Sequence, residues 1–172
     1  MIRKKAAAVV LVVLLTAGCG YRFAPGGTHI DSALTNVYVD SFPNLTGEAG
    51  VDNYVRNAFI DEFRTSDRFS LVYDKNAADL VLSGTIAGVS TAHVSYTKTD
   101  VAREDRVIMT LDVEFRDVRG GKVLWEHKSL SEREAYIVHS DPNITGSNRR
   151  DALLKLSGDL AEKAYRDIMS GF

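Results

Sequence analysis

The chain has 172 residues, enough for one compact domain with or without an N-terminal address and too few for a multidomain machine. With 45% hydrophobic and 26% charged residues and no low-complexity run, it is neither disordered nor fibrous. Twenty-one Lys and Arg against 23 Asp and Glu give a net charge of -2, which provides no counterion-release drive, so nucleic acid is not an expected partner.

The first element is an export signal. Arg3, Lys4 and Lys5 precede an apolar run from Ala6 to Leu15, and Thr16, Ala17, Gly18 and Cys19 follow, the three regions of a signal peptide in order. A run of about 10–13 apolar residues spans about 15–20 Å as a helix, short of the roughly 30 Å hydrocarbon core, so a permanent membrane helix is disfavoured. Ala17 and Gly18 ahead of the single cysteine resemble the lipobox of bacterial lipoproteins, with Thr16 departing from the commoner leucine. This resemblance implies cleavage before Cys19, a diacylglycerol on its thiol and a further acyl chain on its amine. The alternative is ordinary cleavage that leaves a free cysteine. Acyl chains at about 0.8 kcal/mol per buried CH2 anchor stably once more than one is present. Gly20 rather than Asp after the cysteine points, by the sorting rule of such lipoproteins, to the outer membrane. Removal of residues 1–18 leaves 154 residues with 18 basic and 23 acidic side chains, net -5, and no cysteine for a disulfide. Packing alone must then hold the domain, and a chain of this length can do so.

Pro25, Gly26 and Gly27 read as a tether leading into the fold. Val37, Tyr38, Val39 and Phe42 predict the first strand, closed by Pro43, Asn44 and a turn at Thr46 and Gly47. Val51, Tyr54, Val55, Ala58, Phe59 and Phe63 recur on a 3.6-residue period and predict a helix whose aromatics pack in the core. Phe69, Leu71 and Tyr73 alternate as a second strand, which makes a βαβ unit with a right-handed crossover. A long β-rich stretch from Ala78 to Thr97 places Leu80, Leu82 and Ile86 on one face, with Gly84 and Gly88 as expected bulges and Tyr96 near its end. Lys98 to Asp105 is charged and reads as a loop. Val107, Met109, Leu111, Val113 and Phe115 alternate with polar neighbours such as Asp112, Glu114 and Arg116, so one face of this strand is buried and the other wet. Gly120 and Gly121 signal a hairpin, and Val123, Trp125 and Leu130 carry the return strand as far as Val138. From about Ser147 to Met169, Leu153, Ser157, Leu160, Ala161, Ala164, Tyr165 and Ile168 form one stripe of a terminal helix, with Gly158 inside it and Gly171 past its end. The predicted class is α+β: a two-layer sandwich of about four strands in a mixed, mostly antiparallel sheet, with two helices on one face. The division is a signal peptide at 1–18, a lipidated N-terminus and tether at 19–35 and a single domain at 36–172.

Catalytic patterns do not emerge. The chain holds no Gly-x-Ser-x-Gly elbow, no phosphate-cradling glycine loop and no His-Glu-x-x-His helix, and a non-enzymatic protein without cofactor or metal is expected. His139 and Asp141 are close in sequence, but a metal needs three or four converging ligands, and a loop after a strand is the simpler reading. Lys98, Arg103 and Arg106 around the charged loop, and Arg149 and Arg150 at the start of the last helix, could meet the phosphates of an anionic glycolipid. The blander reading of these five is a solvated surface.

With these residues in view, the sequence resembles the LptE family of lipopolysaccharide-assembly lipoproteins. The resemblance rests on Cys19-Gly20-Tyr21-Arg22-Phe23, Val37 to Phe42 with Asn44, Ala78 to Ile86, Leu111 to Phe115, Gly121 to Trp125 and the Tyr136 segment before the terminal helix. It implies an outer-membrane lipoprotein, anchored from the periplasmic side, that plugs and helps assemble the β-barrel translocon (LptD-type) inserting lipopolysaccharide into the outer leaflet. Lipopolysaccharide itself is a further implied ligand. A second resemblance, through Val39 to Gly47 and Ala78 to Gly84, is to lipoproteins of the LpoB and CsgG kind, which activate a peptidoglycan synthase or form a secretion pore. The long strand pair at 107–115 and 123–138 suits the first family better.

Overall fold

A computed structural model of the chain describes residues 30–94 and 103–171. Cys19, the signal peptide, the tether to residue 29, Tyr96 and Lys98 lie outside the described residues. The elements are β1 (Asn36–Val39), α1 (Val51–Arg64), β2 (Ser70–Leu71), β3 (Leu80–Val94), β4 (Arg103–Asp117), β5 (Lys122–Val138) and α2 (Pro142–Ser170), with a 3-10 turn at Lys75–Ala77.

The strands form one five-stranded sheet in the order β2-β1-β3-β4-β5. β1 runs parallel to both β2 and β3, while β3, β4 and β5 are antiparallel. The sheet is thus mixed and, by strand length, mostly antiparallel; its five strands fall on the five segments marked in the sequence, one more than the predicted class of about four. The predicted βαβ unit is β1-α1-β2, although β2 is only two residues long. Tyr73, expected to continue it, is 75% exposed, so its aromatic ring has no burial to hold it in the sheet. β1 likewise ends at Val39, three residues before Phe42. Phe42 still enters the core, from the loop beyond the strand.

Both helices cover the same face of the sheet. On α1, Val51, Val55, Phe59 and Phe63 are fully buried, one residue per turn of the predicted stripe. Gly50, at φ 79, turns the chain into this helix in a backbone conformation that costs glycine little. From β4 come Val107, Met109, Leu111, Val113 and Phe115, all buried, and from β3 Leu80, Leu82 and Ile86. α2 contributes Leu153, Leu156, Leu160 and Ile168, with Ala152, Ser157, Ala161 and Ala164 between them. Ser157 is satisfied inside the core because its hydroxyl donates to the Leu153 carbonyl. Phe63, Phe69, Phe115 and Tyr165 form one aromatic cluster with ring centroids 5.4–6.5 Å apart. Phe42 and Phe59 stack separately at 5.1 Å.

α2 begins five residues earlier than the periodicity suggests. Asp141 caps it by accepting from the Asn143 N–H, and Pro142 occupies the first turn. No residue from Pro142 to Gly146 is buried, so an amphipathic stripe cannot register there. Arg149 and Arg150 therefore stand beyond the first turn, where the helix dipole has little hold on them. Of the two expected bulges, one is real: the β3–β4 register shifts between Ile86 and Gly88. Gly84 is not a bulge but a close approach, because a Cβ there would lie 2.5 Å from the Asp112 carbonyl and 2.6 Å from Phe42 Cε1. Arg103 to Asp105, expected in a loop, already pair in β4.

Gly158 stands in the interior of α2 with no atom within 4 Å of the position its Cβ would take. Gly158→Ala is expected to stabilise the domain by about 0.8–1 kcal/mol, read as a rise in the urea midpoint at unchanged m-value.

Candidate functional site

Because both helices sit on one face, no described element covers the other face of the sheet, and the register gives its composition row by row. Toward the end where β3 finishes and β4 begins, Ala92, Arg106 and Ala135 form one row, and Ser90, Ile108 and Arg133 the next. Beyond them Val94 and Ile137 flank Glu104, with Ile137 54% exposed. This end is a mixed surface of small apolar side chains and guanidinium groups. Arg133 had no signal in the sequence, because only the β4–β5 register assigns it to a face.

The opposite end of the same face is acidic. Asp40, Ser41 and Pro43, leaving β1, wall a groove of about 480 Å³ whose floor includes Thr85, Asp112 and Glu114. Lys75 donates to Asp40 and, with its positive charge, holds that carboxyl below its ordinary value. Glu114 binds Arg116 in a two-point fork at 2.7 and 3.0 Å, which raises the guanidinium's proton affinity further. Asp112 accepts from the Ser129 N–H at 2.8 Å, where Ser129 adopts φ 61 and β5 bulges. All three carboxylates are thus engaged: Asp112 ties β5 to β4, Glu114 fixes Arg116 along β4, and Asp40 ties the loop after β1 to the Lys75 turn.

The predicted anion-contact residues are divided by this geometry. Alternation along β4 puts Arg106 on the uncovered face and Arg103 on the face that carries the helices. Arg149 is held between layers: its Nη2 lies 2.9 Å from Glu48 and 3.4 Å from the Thr91 hydroxyl. Arg150 is exposed on α2. His139 and Asp141 form the turn into α2, the Asp141 N–H donating to His139 Nδ1 at 3.0 Å. Among the described residues no group of three or more His, Cys, Asp or Glu could hold a metal. Nor is any described helix long and apolar enough to cross a membrane.

The fold also holds a buried carboxylate that no local sequence pattern marks. Asp79, only 2% exposed, accepts from the backbone N–H groups of Asn36 at 3.0 Å and Thr35 at 3.2 Å, and its other oxygen faces Arg119 at 2.5 Å. Its own N–H donates to the Asn36 carbonyl, and its carbonyl accepts from Val118. One residue thereby joins the start of β1 to the end of β4. The Asn36 hydrogen bond, then that of Thr35 and the Arg119 charge, outweigh burial and hold its pKa below the usual 3.8. A depressed carboxyl favours the fold above its unfolded pKa and loses that contribution as the pH falls through its native value. Asp79→Asn is accordingly expected to lower the urea midpoint at pH 7. The difference from the unsubstituted protein should shrink below about pH 3.8, as measured by denaturation at several pH values.

No curated protein matches the chain significantly. Solved structures share the fold at low identity. A candidate lipoprotein from Caulobacter crescentus is 14% identical, over 74% of this chain and 87% of that one, with a TM-score of 0.51. Lipoprotein B from Nitrosomonas europaea is 13% identical, over 79% of this chain and 83% of that one, TM-score 0.51. Rare lipoprotein B from Shewanella oneidensis is 13% identical, over 78% and 93%, TM-score 0.50. The model of a lipopolysaccharide-assembly family, LptE, matches residues 34–168, a span that takes in every strand and nearly all of both helices. The chain belongs to the LptE family of lipopolysaccharide-assembly proteins.

Proposed function

We propose that this chain is a non-enzymatic outer-membrane lipoprotein, anchored from the periplasmic side by acyl chains on Cys19. In this reading it plugs the lumen of the LptD-type β-barrel that delivers lipopolysaccharide to the outer leaflet, and it helps that barrel to assemble. The family match over residues 34–168 carries the reading. The uncovered sheet face supports it, since a mixed polar surface suits contact with a water-lined barrel interior. Depletion of the protein is expected to leave newly made lipopolysaccharide inside the cell envelope, detected as loss of surface labelling. Normal surface labelling in depleted cells would count against a role in its delivery.

Lipopolysaccharide contact is part of the same proposal, through Lys98, Arg106 and Arg150 of the five basic residues, since Arg149 is engaged by Glu48 and Arg103 lies on the face opposite Arg106. Phosphate binding by exposed cations weakens as the Debye length shrinks from about 10 Å at 0.1 M salt to about 3 Å at 1 M. Affinity for purified lipopolysaccharide should therefore fall across that range. A salt-independent affinity would assign the contact to acyl chains instead.

A further inference from the structure

α1 and α2 lie side by side and run in the same direction. Glu48, just before α1, pairs with Arg149, and Ser66, just after it, meets the Tyr165 hydroxyl at 2.7 Å. On the side away from the sheet they enclose a groove of about 390 Å³ lined by Tyr54, Ala58, Asp61, Glu62, Leu154 and Gly158.

Three features of this groove have no cause in the packing beneath it. Gly158 lowers the helix equilibrium about four- to fivefold relative to alanine, yet nothing stands within 4 Å of its missing Cβ. The fold does not need a glycine there, but a notch does. Leu154, one turn earlier on the same stripe, is 47% exposed, a large apolar side chain left at the lip of the notch. The third feature is charge. Asp61 pairs with Arg64 and Glu162 with Arg166, which leaves Glu62 as the groove carboxylate with no ion pair of its own among the described residues. Burial, and then repulsion from Glu162, raise its pKa, and the Arg166 charge offsets them only in part.

We propose that this groove docks a partner polypeptide, which inserts an apolar side chain into the notch above Gly158 and presents an adjacent lysine or arginine to Glu62. The charge selects this occupant over others. An anionic lipid headgroup would meet the like charge of Glu62. A second copy of this chain, docked groove to groove by two-fold symmetry, would bring Glu62 against Glu62. The proposal rests on the chain acting through a protein partner, and its test separates the groove from the barrel reading.

The test places a photoreactive residue at Asn57, exposed at the edge of the groove, in the full-length lipoprotein in its own membranes. Illumination should give a protein adduct whose cross-linked peptide carries an apolar residue beside a lysine or arginine. The yield should fall at least about tenfold in Gly158→Leu and in Glu62→Lys, and stay within about twofold in Gly158→Ala. Leucine and alanine both favour the helix over glycine, so loss of the adduct in Gly158→Leu alone reports a filled notch rather than unfolding. A raised urea midpoint in both variants confirms this. An adduct on the barrel supports the groove and the plug reading together. An adduct of the expected peptide chemistry on a different protein supports the groove and overturns the plug reading. No adduct, an adduct on lipopolysaccharide or a second copy, a peptide without the cation, or a yield indifferent to Gly158→Leu would each overturn the groove.

Discussion

Phe59→Ala is expected to lower the unfolding free energy by about 3–5 kcal/mol, a large share of the roughly 5–15 kcal/mol that holds an average domain. Phe59 is fully buried and stacks on Phe42 at 5.1 Å with the rings 5° from parallel. Phe42 in turn packs against Gly84, where its Cε1 fills the space of a side chain. Removing the Phe59 ring would leave a void between α1 and the loop that follows β1. That loop is tied to β3 by Leu45 N–H to Ile86 carbonyl and Ile86 N–H to Pro43 carbonyl hydrogen bonds, and cannot collapse freely into the space. Chemical denaturation should show a lower midpoint with an unchanged m-value. A cost below about 1 kcal/mol would mean that the stacked pair is not a keystone of this layer.

The second large effect is all-or-none. Cys19→Ser is expected to abolish acylation, because serine lacks the thiol that would take the diacylglycerol. Labelled palmitate should be absent from the variant, and the protein should leave the membrane fraction, since 154 residues without acyl chains keep no membrane anchor in the proposed reading. Palmitate on the variant, or unchanged sedimentation with membranes, would refute lipidation at Cys19.

How much of this was readable beforehand depended on which face each residue serves. The helix over Val51 to Phe63 and the strand over Val107 to Phe115 were legible because each presents one apolar face to one core. The start of α2 was not, because its first turns are solvated and only the Asp141-Pro142 cap marks them. The alternation overextends β2 because aromatic and β-branched residues raise strand propensity whether or not they are buried, and Tyr73 is not. Asp79 looked like one acid among many, since its role comes from backbone N–H groups more than 40 residues away. The same limit applies to the basic residues: three positions separate Arg103 from Arg106, an odd number, so a strand sends them to opposite faces. That was available from the sequence once β4 was known to begin at Arg103 rather than after the charged loop. The cost of Gly158 was legible too, but its position at the outer groove between the helices required the fold.

The full-length, tagged lipoprotein, solubilised from outer membranes in mild detergent and purified, should carry one β-barrel of the lipopolysaccharide translocon in stoichiometric amount, identified by mass spectrometry. That barrel should stay bound through washing. A peptidoglycan synthase in its place, a ring of the lipoprotein alone, or free exchange with added barrel would contradict the plug.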